Sequence, residues 1–368
     1  MSATPSTVGS RWSDGDTVRT VATWIVIGCG SWWLLGQLAV VLRPLLVAVF
    51  LTYVMFPAIQ KLKAVFPGPV MLIVLAGLVA GTLATLAVVV YASIVSFQDD
   101  LPTIRTRTVA IAQRTVGFVE RNLPWLVPAK KEEDPKDKQS EVVFAEKLVE
   151  LTNQQVAVAA SYAATGMSEG IVAGLFLFFL LLEASRFPDR VRAAYPPAKA
   201  NSILYVSSRI TGAVHGYLKA KSVSGLICAI LVAVTLWFFG VKFVFLWAVL
   251  TFLCNFIPYV GSLIAFVLPA TFAVLMLNGT WQPWTCLGLL AAIHVISGSV
   301  VEPLLIGKAV GMSPIVILAA LTVWGSLWGL PGMFLAVPLT MVVLIVLDNI
   351  PSTRSIARLV LGEPETGA

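Results

Sequence analysis

Apolar positions along this chain fall into unbroken blocks, not into the single stripes of helices that pack on a water-soluble core. The blocks Val21–Leu42, Leu45–Ile59, Pro69–Val95, Ile171–Leu182 (extending back towards Val156), Val223–Val241 and Pro283–Val301 are separated by clusters of charge. About 20 apolar residues cross a bilayer as a helix, so the pattern predicts about six full transmembrane helices. The second block is the weakest, with Arg43-Pro44 before it and Pro57 inside it.

Two longer blocks, Phe243–Leu277 and Met312–Leu347, hold 35 and 36 residues without a charge. Each is longer than one span needs, while two spans with a turn need more than about 40 residues. The first is interrupted by "CNFIPYVGSLIAF", where Pro258 and Gly261 stop helix propagation and Asn255, Tyr259 and Ser262 offer polar groups. Its arms, Phe243–Ile257 and Leu263–Leu277, would reach only about 22 Å each at 1.5 Å per residue, short of the hydrocarbon thickness. The second is interrupted by "WGSLWGLPGMF", with Gly325, Ser326, Gly329, Pro331 and Gly332 at its centre, and both outgoing arms carry a proline, Pro269 and Pro338.

Two re-entrant hairpins meet these lengths; helices kinked by Pro and Gly are the alternative. With six spans, the hairpins insert from opposite sides, and each follows a full span. Span plus hairpin, twice and inverted, is a transporter layout, in which free backbone groups at broken helices persist by lining a cavity or binding a solute or ion. The expected solute or ion pathway is therefore Asn255, Pro258, Tyr259, Gly261 and Ser262 facing Ser326, Gly329, Pro331 and Gly332.

Composition agrees, since 58% of residues are hydrophobic and 12% charged, a balance that no water-soluble surface can wrap. The first block lies too far along the chain and is too long for a cleaved leader. Residues 97–165 differ in kind: they hold nine Lys or Arg and ten Asp or Glu, with the tip "AKKEEDPKDKQ" at the centre. They read as a helical extramembrane insert with a solvated tip.

Lys and Arg set the orientation. Arg11 and Arg19, Lys61 and Lys63, the connection from Ala184 to Ser222, and Arg354 and Arg358 all fall on one side, taken as cytoplasmic with both termini. The predicted order is a tail (1–20), three spans (21–96), the insert (97–165), a fourth span (166–183), a basic amphipathic helix (184–222), a module of two span-plus-hairpin repeats (223–348) and a second tail (349–368). The basic helix shows an apolar face of Ile203, Val206, Ile210, Val214 and Tyr217 beside Arg209, His215, Lys219 and Lys221, and is expected along the membrane surface. Its charge suits anionic headgroups, and the net +6 needs no nucleic acid.

Ionisable residues at membrane depth are functional candidates. His294 lies inside Pro283–Val301 and fits either a proton relay or a histidine satisfied by a neighbouring helix. Glu302 at that span's end is either a coupling carboxylate or the partner of Lys308 in a structural ion pair. Asp348 and Glu169 read as interfacial caps. Cys29, Cys228, Cys254 and Cys286 lack paired spacing, and no catalytic, cofactor or metal motif is present. An enzyme is not expected.

Three stretches, "NFIPYVGSLIAFVLPA" (Asn255–Ala270), "VEPLLIGKAVGMSPIVILAAL" (Val301–Leu321) and "GLPGMFLAVPLTMVVLIVLDN" (Gly329–Asn349), resemble the signature blocks of the autoinducer-2 exporter (AI-2E) family of bacterial permeases. By residue, Pro258, Gly261 and Pro269 match the first block, Glu302, Pro303, Gly307, Gly311 and Pro314 the second, and Gly329, Gly332 and Pro338 the third. The resemblance implies a multi-pass protein of the bacterial inner membrane and a homo-oligomer, pentamers included. It also implies secondary transport: export of a small organic solute such as autoinducer-2, or alternatively Na+(Li+)/H+ antiport. A membrane assembly scaffold without transport is the weaker alternative, because it has no need of paired broken hairpins.

Overall fold

The computed structural model describes residues 14–63, 168–184, 186–277, 280–306 and 311–361, with scattered helical positions between 74 and 166. Most of the expected third span and of the insert, together with Gly307 and Lys308, lies outside the described residues. The described chain is helical: α1 (Asp14–Gln37), α2 (Ala39–Lys63), α3 (Ser168–Ala184), α4 (Phe187–Ala194), α5 (Pro197–Phe238), α6 (Val244–Cys254), α7 (Val260–Met276), α8 (Gln282–Ile296), a π turn (Ser297–Val301), α9 (Glu302–Ile306), α10 (Pro314–Trp328), α11 (Leu330–Asn349) and α12 (Arg354–Leu361).

Among the described residues, three helical rods, Pro197–Phe238, Gln282–Leu305 and Leu330–Asn349, are long and apolar enough to cross a membrane, and two bent pairs raise the number to as many as five. One bent pair is α1 with α2, which meet at 77°. The expected break between the first two spans at Arg43-Pro44 is corrected: the chain turns at Leu38, and Pro44 is carried inside α2. Arg43 stands 3.7 Å from Glu169 of α3, so this carboxylate, expected as a cap, takes part in an ion pair between helices.

The basic helix and the span at Val223–Val241 are not separate elements. A single helix, α5, runs 42 residues through both. It is the post on which the rest is mounted. Its C-terminal half packs Cys228, Val232 and Leu236 against Trp247, Phe272, Ala273, Cys286 and Leu290 of α6, α7 and α8. Its N-terminal half packs Val214, Tyr217 and Leu218 against Phe50 of α2 and Leu335, Val337 and Met341 of α11. The expected face from Ile203 to Tyr217 is the more buried one, whereas Arg209 and Lys219 are exposed.

Both long blocks break where expected. The first divides into α6 and α7, of 11 and 17 residues. Between them Tyr259 sits at φ 61°, a conformation that L residues adopt rarely, and Gly261 comes so close to the Cys254 carbonyl that no side chain fits. The second divides at Gly329 (φ 67°), with Gly332 against the Trp324 carbonyl in the same way. The halves are unequal, which corrects the expectation of two matched short arms: α10 has 15 residues, but α11 has 20 and is of span length. Pro269 and Pro338 lie inside α7 and α11, both buried.

The two breaks adjoin. Phe256 of the first stacks on Phe334 at the start of α11 with centroids 4.8 Å apart, and Ile257 packs with Ala320, Leu321 and Ala336. Phe50 of α2 and Phe252 of α6 add edge contacts to the same aromatic group. At the far end of α11, Asp348 receives Arg209 of α5 at 3.2 Å and lies 3.9 Å from Arg358, while its carbonyl accepts from Arg354. Asp348 therefore ties three helices together, more than the cap expected of it. Large side chains such as Trp237, Phe238, Leu304 and Ile315 point outward, a surface suited to acyl chains.

Candidate functional site

The apolar face of α5 advances by three and four residues: Ile203, Val206, Ile210, Val214, Tyr217. The same steps lead on to Lys221, Ser224 and Cys228, and all three are buried. Lys221 is 1% exposed, at a position where an ammonium must be paired. Its Nζ donates to a Glu302 carboxylate oxygen and, at 3.1 Å, to the Asn255 carbonyl.

Each partner is delivered by an irregularity. Asn255 ends α6, and its carbonyl is released where the helix breaks. The negative end of the helix dipole thus points at the ammonium. Thr251 precedes Asn255 by one turn and is also buried. Gly225 of α5 makes room for the Asn255 side chain, since a Cβ there would lie 3.0 Å from its Nδ2. Glu302 follows a π turn in which its N–H reaches back five residues to the Ser297 carbonyl. The extra residue brings Glu302 onto the turn beneath Ser297, where Val301 would stand in a regular helix. Ser297 is buried.

The result is a polar core at the junction of α5, α6 and the α8–α9 rod: Tyr217, Lys221, Ser224, Thr251, Asn255, Ser297 and Glu302. Tyr217 Oη, Ser224 Oγ, Thr251 Oγ1 and Asn255 Nδ2 are buried with no hydrogen-bond partner among the described residues. Such groups cost about 1–3 kcal/mol each when left unmet. They are suited to meeting water or a polar solute.

Of the residues expected in the pathway, Asn255 joins this core, and Glu302, a coupling candidate, joins it paired with Lys221, while Lys308 lies outside the described residues. Pro258 and Pro331 are partly exposed, Gly261 and Gly332 are buried in their turns, and Tyr259 and Gly329 are exposed. The Ser262 and Ser326 hydroxyls are exposed and bond the carbonyls of Tyr259 and Val323, each three residues back in its own segment. Pro303 and Pro314 are exposed at the ends of their helices, and Gly311 has φ 56°. A cleft of about 470 Å³ lined by Leu45, Phe176, Phe179, Leu180, Glu183 and Arg186 contains none of these residues.

One ring nitrogen of His294 is met within its own helix. Its Nδ1 lies 2.9 Å from the Leu290 carbonyl, and its ring meets Phe266 edge-on at 5.8 Å. It precedes Glu302 by eight positions, about 12 Å along a helical rod. Its Nε2 is buried without a partner among the described residues, so His294→Leu should leave the unfolding temperature unchanged or raise it. A marked drop in a melt of the purified protein would show that the imidazole serves a group beyond its own helix.

Lys221, Tyr217, Ser224 and Thr251 were not singled out as a site by sequence. The available signal was the continuation of the Ile203–Tyr217 series through a lysine.

A model of the AI-2E family of transporters matches residues 21–352. A protein of Haemophilus influenzae is 34% identical over 204 residues, which are 53% of this chain and 58% of its own. YhhT of Escherichia coli K12 is 32% identical over 199 residues, 53% of this chain and 56% of its own. The AI-2 transport protein TqsA of the same strain is 32% identical over 183 residues, 50% and 52% of the two chains. The aligned part spans somewhat over half the length of these curated relatives.

Proposed function

Because the chain belongs to the AI-2E transporter family and is a helical protein suited to a membrane, we propose that it is a secondary transporter that exports a small polar organic solute. One observation carries this reading: a buried Lys221 paired with Glu302 and held against the released Asn255 carbonyl, amid hydroxyl and amide groups without partners among the described residues. A charge at membrane depth is costly and persists where it serves a pathway. The unmatched groups around it could hydrogen-bond a hydroxyl- or carbonyl-rich solute, and a broken helix is where transporters bind their cargo.

The aromatic group of Phe50, Phe252, Phe256 and Phe334 adjoins Asn255 and would act as the seal on that side. The two breaks would part for passage, with α7 and the α10–α11 pair as the moving pieces. The location that goes with this reading is the bacterial inner membrane, with both termini cytoplasmic and a homo-oligomeric assembly.

The test is reconstitution in proteoliposomes with proton or sodium gradients imposed separately and AI-2, the solute named for TqsA, as the first probe. Gradient-driven AI-2 movement, reduced at least about tenfold by Asn255→Ala, is the expected result. Sodium–proton exchange without solute movement would replace export with antiport. Neither activity would leave the scaffold reading.

A further inference from the structure

The Lys221 ammonium sits where a metal cation would be expected. Around its Nζ are a carboxylate oxygen of Glu302 and the Asn255 carbonyl, the latter at 3.1 Å and released at the C-terminus of α6. Within one turn on each helix lie the buried hydroxyls of Ser224 and Thr251, without partners among the described residues. An acidic oxygen, a freed main-chain carbonyl at a negative helix end and neutral hydroxyls make up the donor set that broken membrane helices offer to alkali ions. In this chain the positive charge is covalently attached to α5.

We propose that Lys221 is a tethered resident cation that fills an oxygen-lined monovalent-cation site between α5, α6 and α9, so that the protein needs no sodium there. An ordinary buried ion pair asks only for a carboxylate. Here the second acceptor is a helix-terminal carbonyl, and the neighbouring hydroxyls are left over as the outer ligands of an ion that the lysine replaces. The ammonium cannot dissociate, so the three helices stay joined by a fixed charge whatever the ionic composition of the two compartments.

Truncation should turn the fixed charge into a vacant site. The full chain and its Lys221→Ala variant are melted in detergent in sodium chloride, potassium chloride and choline chloride of equal ionic strength. The wild type should melt at the same temperature in all three. Lys221→Ala should melt lower in choline and recover by on the order of 3 °C in sodium or potassium, saturably. Adding Glu302→Gln to that variant should remove the recovery.

A melt of Lys221→Ala that is identical in alkali and choline salts would overturn the proposal, as would a wild type stabilised by sodium as much as the variant. Lys221→Ser, which supplies an extra oxygen, is made alongside. If neither variant can be purified in choline, recovery in alkali salt alone supports the site, and failure in every salt refutes it. Thermal stability reads cation binding directly, so a chain that moves no solute can still decide the matter.

Discussion

Glu302→Gln is expected to destabilise the protein by about 3 kcal/mol and to abolish transport. The carboxylate faces a lysine that is 1% exposed, and removing one member of a buried pair leaves the other charge uncompensated, which costs about 3–5 kcal/mol. The lower end applies because the Glu302 side chain is 27% exposed. Lys221→Met combined with Glu302→Leu should regain most of the lost stability, since apolar residues of similar size replace buried pairs at little cost. Transport should stay absent in the double variant. Unfolding of the wild type, Lys221→Met, Glu302→Leu and the double variant in one detergent closes the cycle. A Glu302→Gln protein as stable as the wild type would mean that the pair does not hold Lys221 charged in the interior.

Gly261→Ala and Gly332→Ala should each cost about 3 kcal/mol or more, a large effect for a single methyl group. At both positions the new Cβ would fall on a main-chain carbonyl oxygen, that of Cys254 or of Trp324. A carbonyl inside a hydrogen-bonded turn cannot step aside as a side chain does, so the turn itself must open. Opening it would separate Phe256 from Phe334 and release Ile257 from α10 and α11. Gly212→Ala supplies the contrast. Its Cβ would meet nothing within 4 Å, and an alanine in an exposed helix interior should stabilise by up to about 1 kcal/mol. Equal melting temperatures for the Gly212 and Gly261 variants would show that the turns are loose.

The breaks in the two long blocks were legible because Pro, Gly and uncharged length act locally. Asn255-to-Ser262 and Gly325-to-Gly332 announce a break wherever the neighbours are. The unequal second pair was not legible, because uncharged sequence continues through α11 to Asp348 and nothing local says where one arm outgrows the other. Lys221 was misplaced for a different reason. Its neighbours Arg209, His215 and Lys219 made a basic helix the natural reading, and charge outweighed periodicity. The step of four from Tyr217 was present in the sequence, but only packing shows that it leads inward. Glu302 was recognised as important, but its pairing with Lys221 was not. That partner lies 81 positions earlier in the chain and is brought opposite by a π turn, which no propensity forecasts.

The 42-residue helix α5 is about 63 Å long, roughly twice the hydrocarbon thickness. It holds Arg209 against Asp348 at one station and Lys221 against Glu302 at another, 12 residues or about 18 Å further along. A rod gripped at two points behaves as a lever with a fulcrum. A tilt that slackens one grip must load the other, and the remaining length amplifies it, so that 10° about one grip sweeps an end some 40 Å away by about 7 Å. Events at the exposed arginine end and at the buried lysine are therefore mechanically geared through a single piece of backbone.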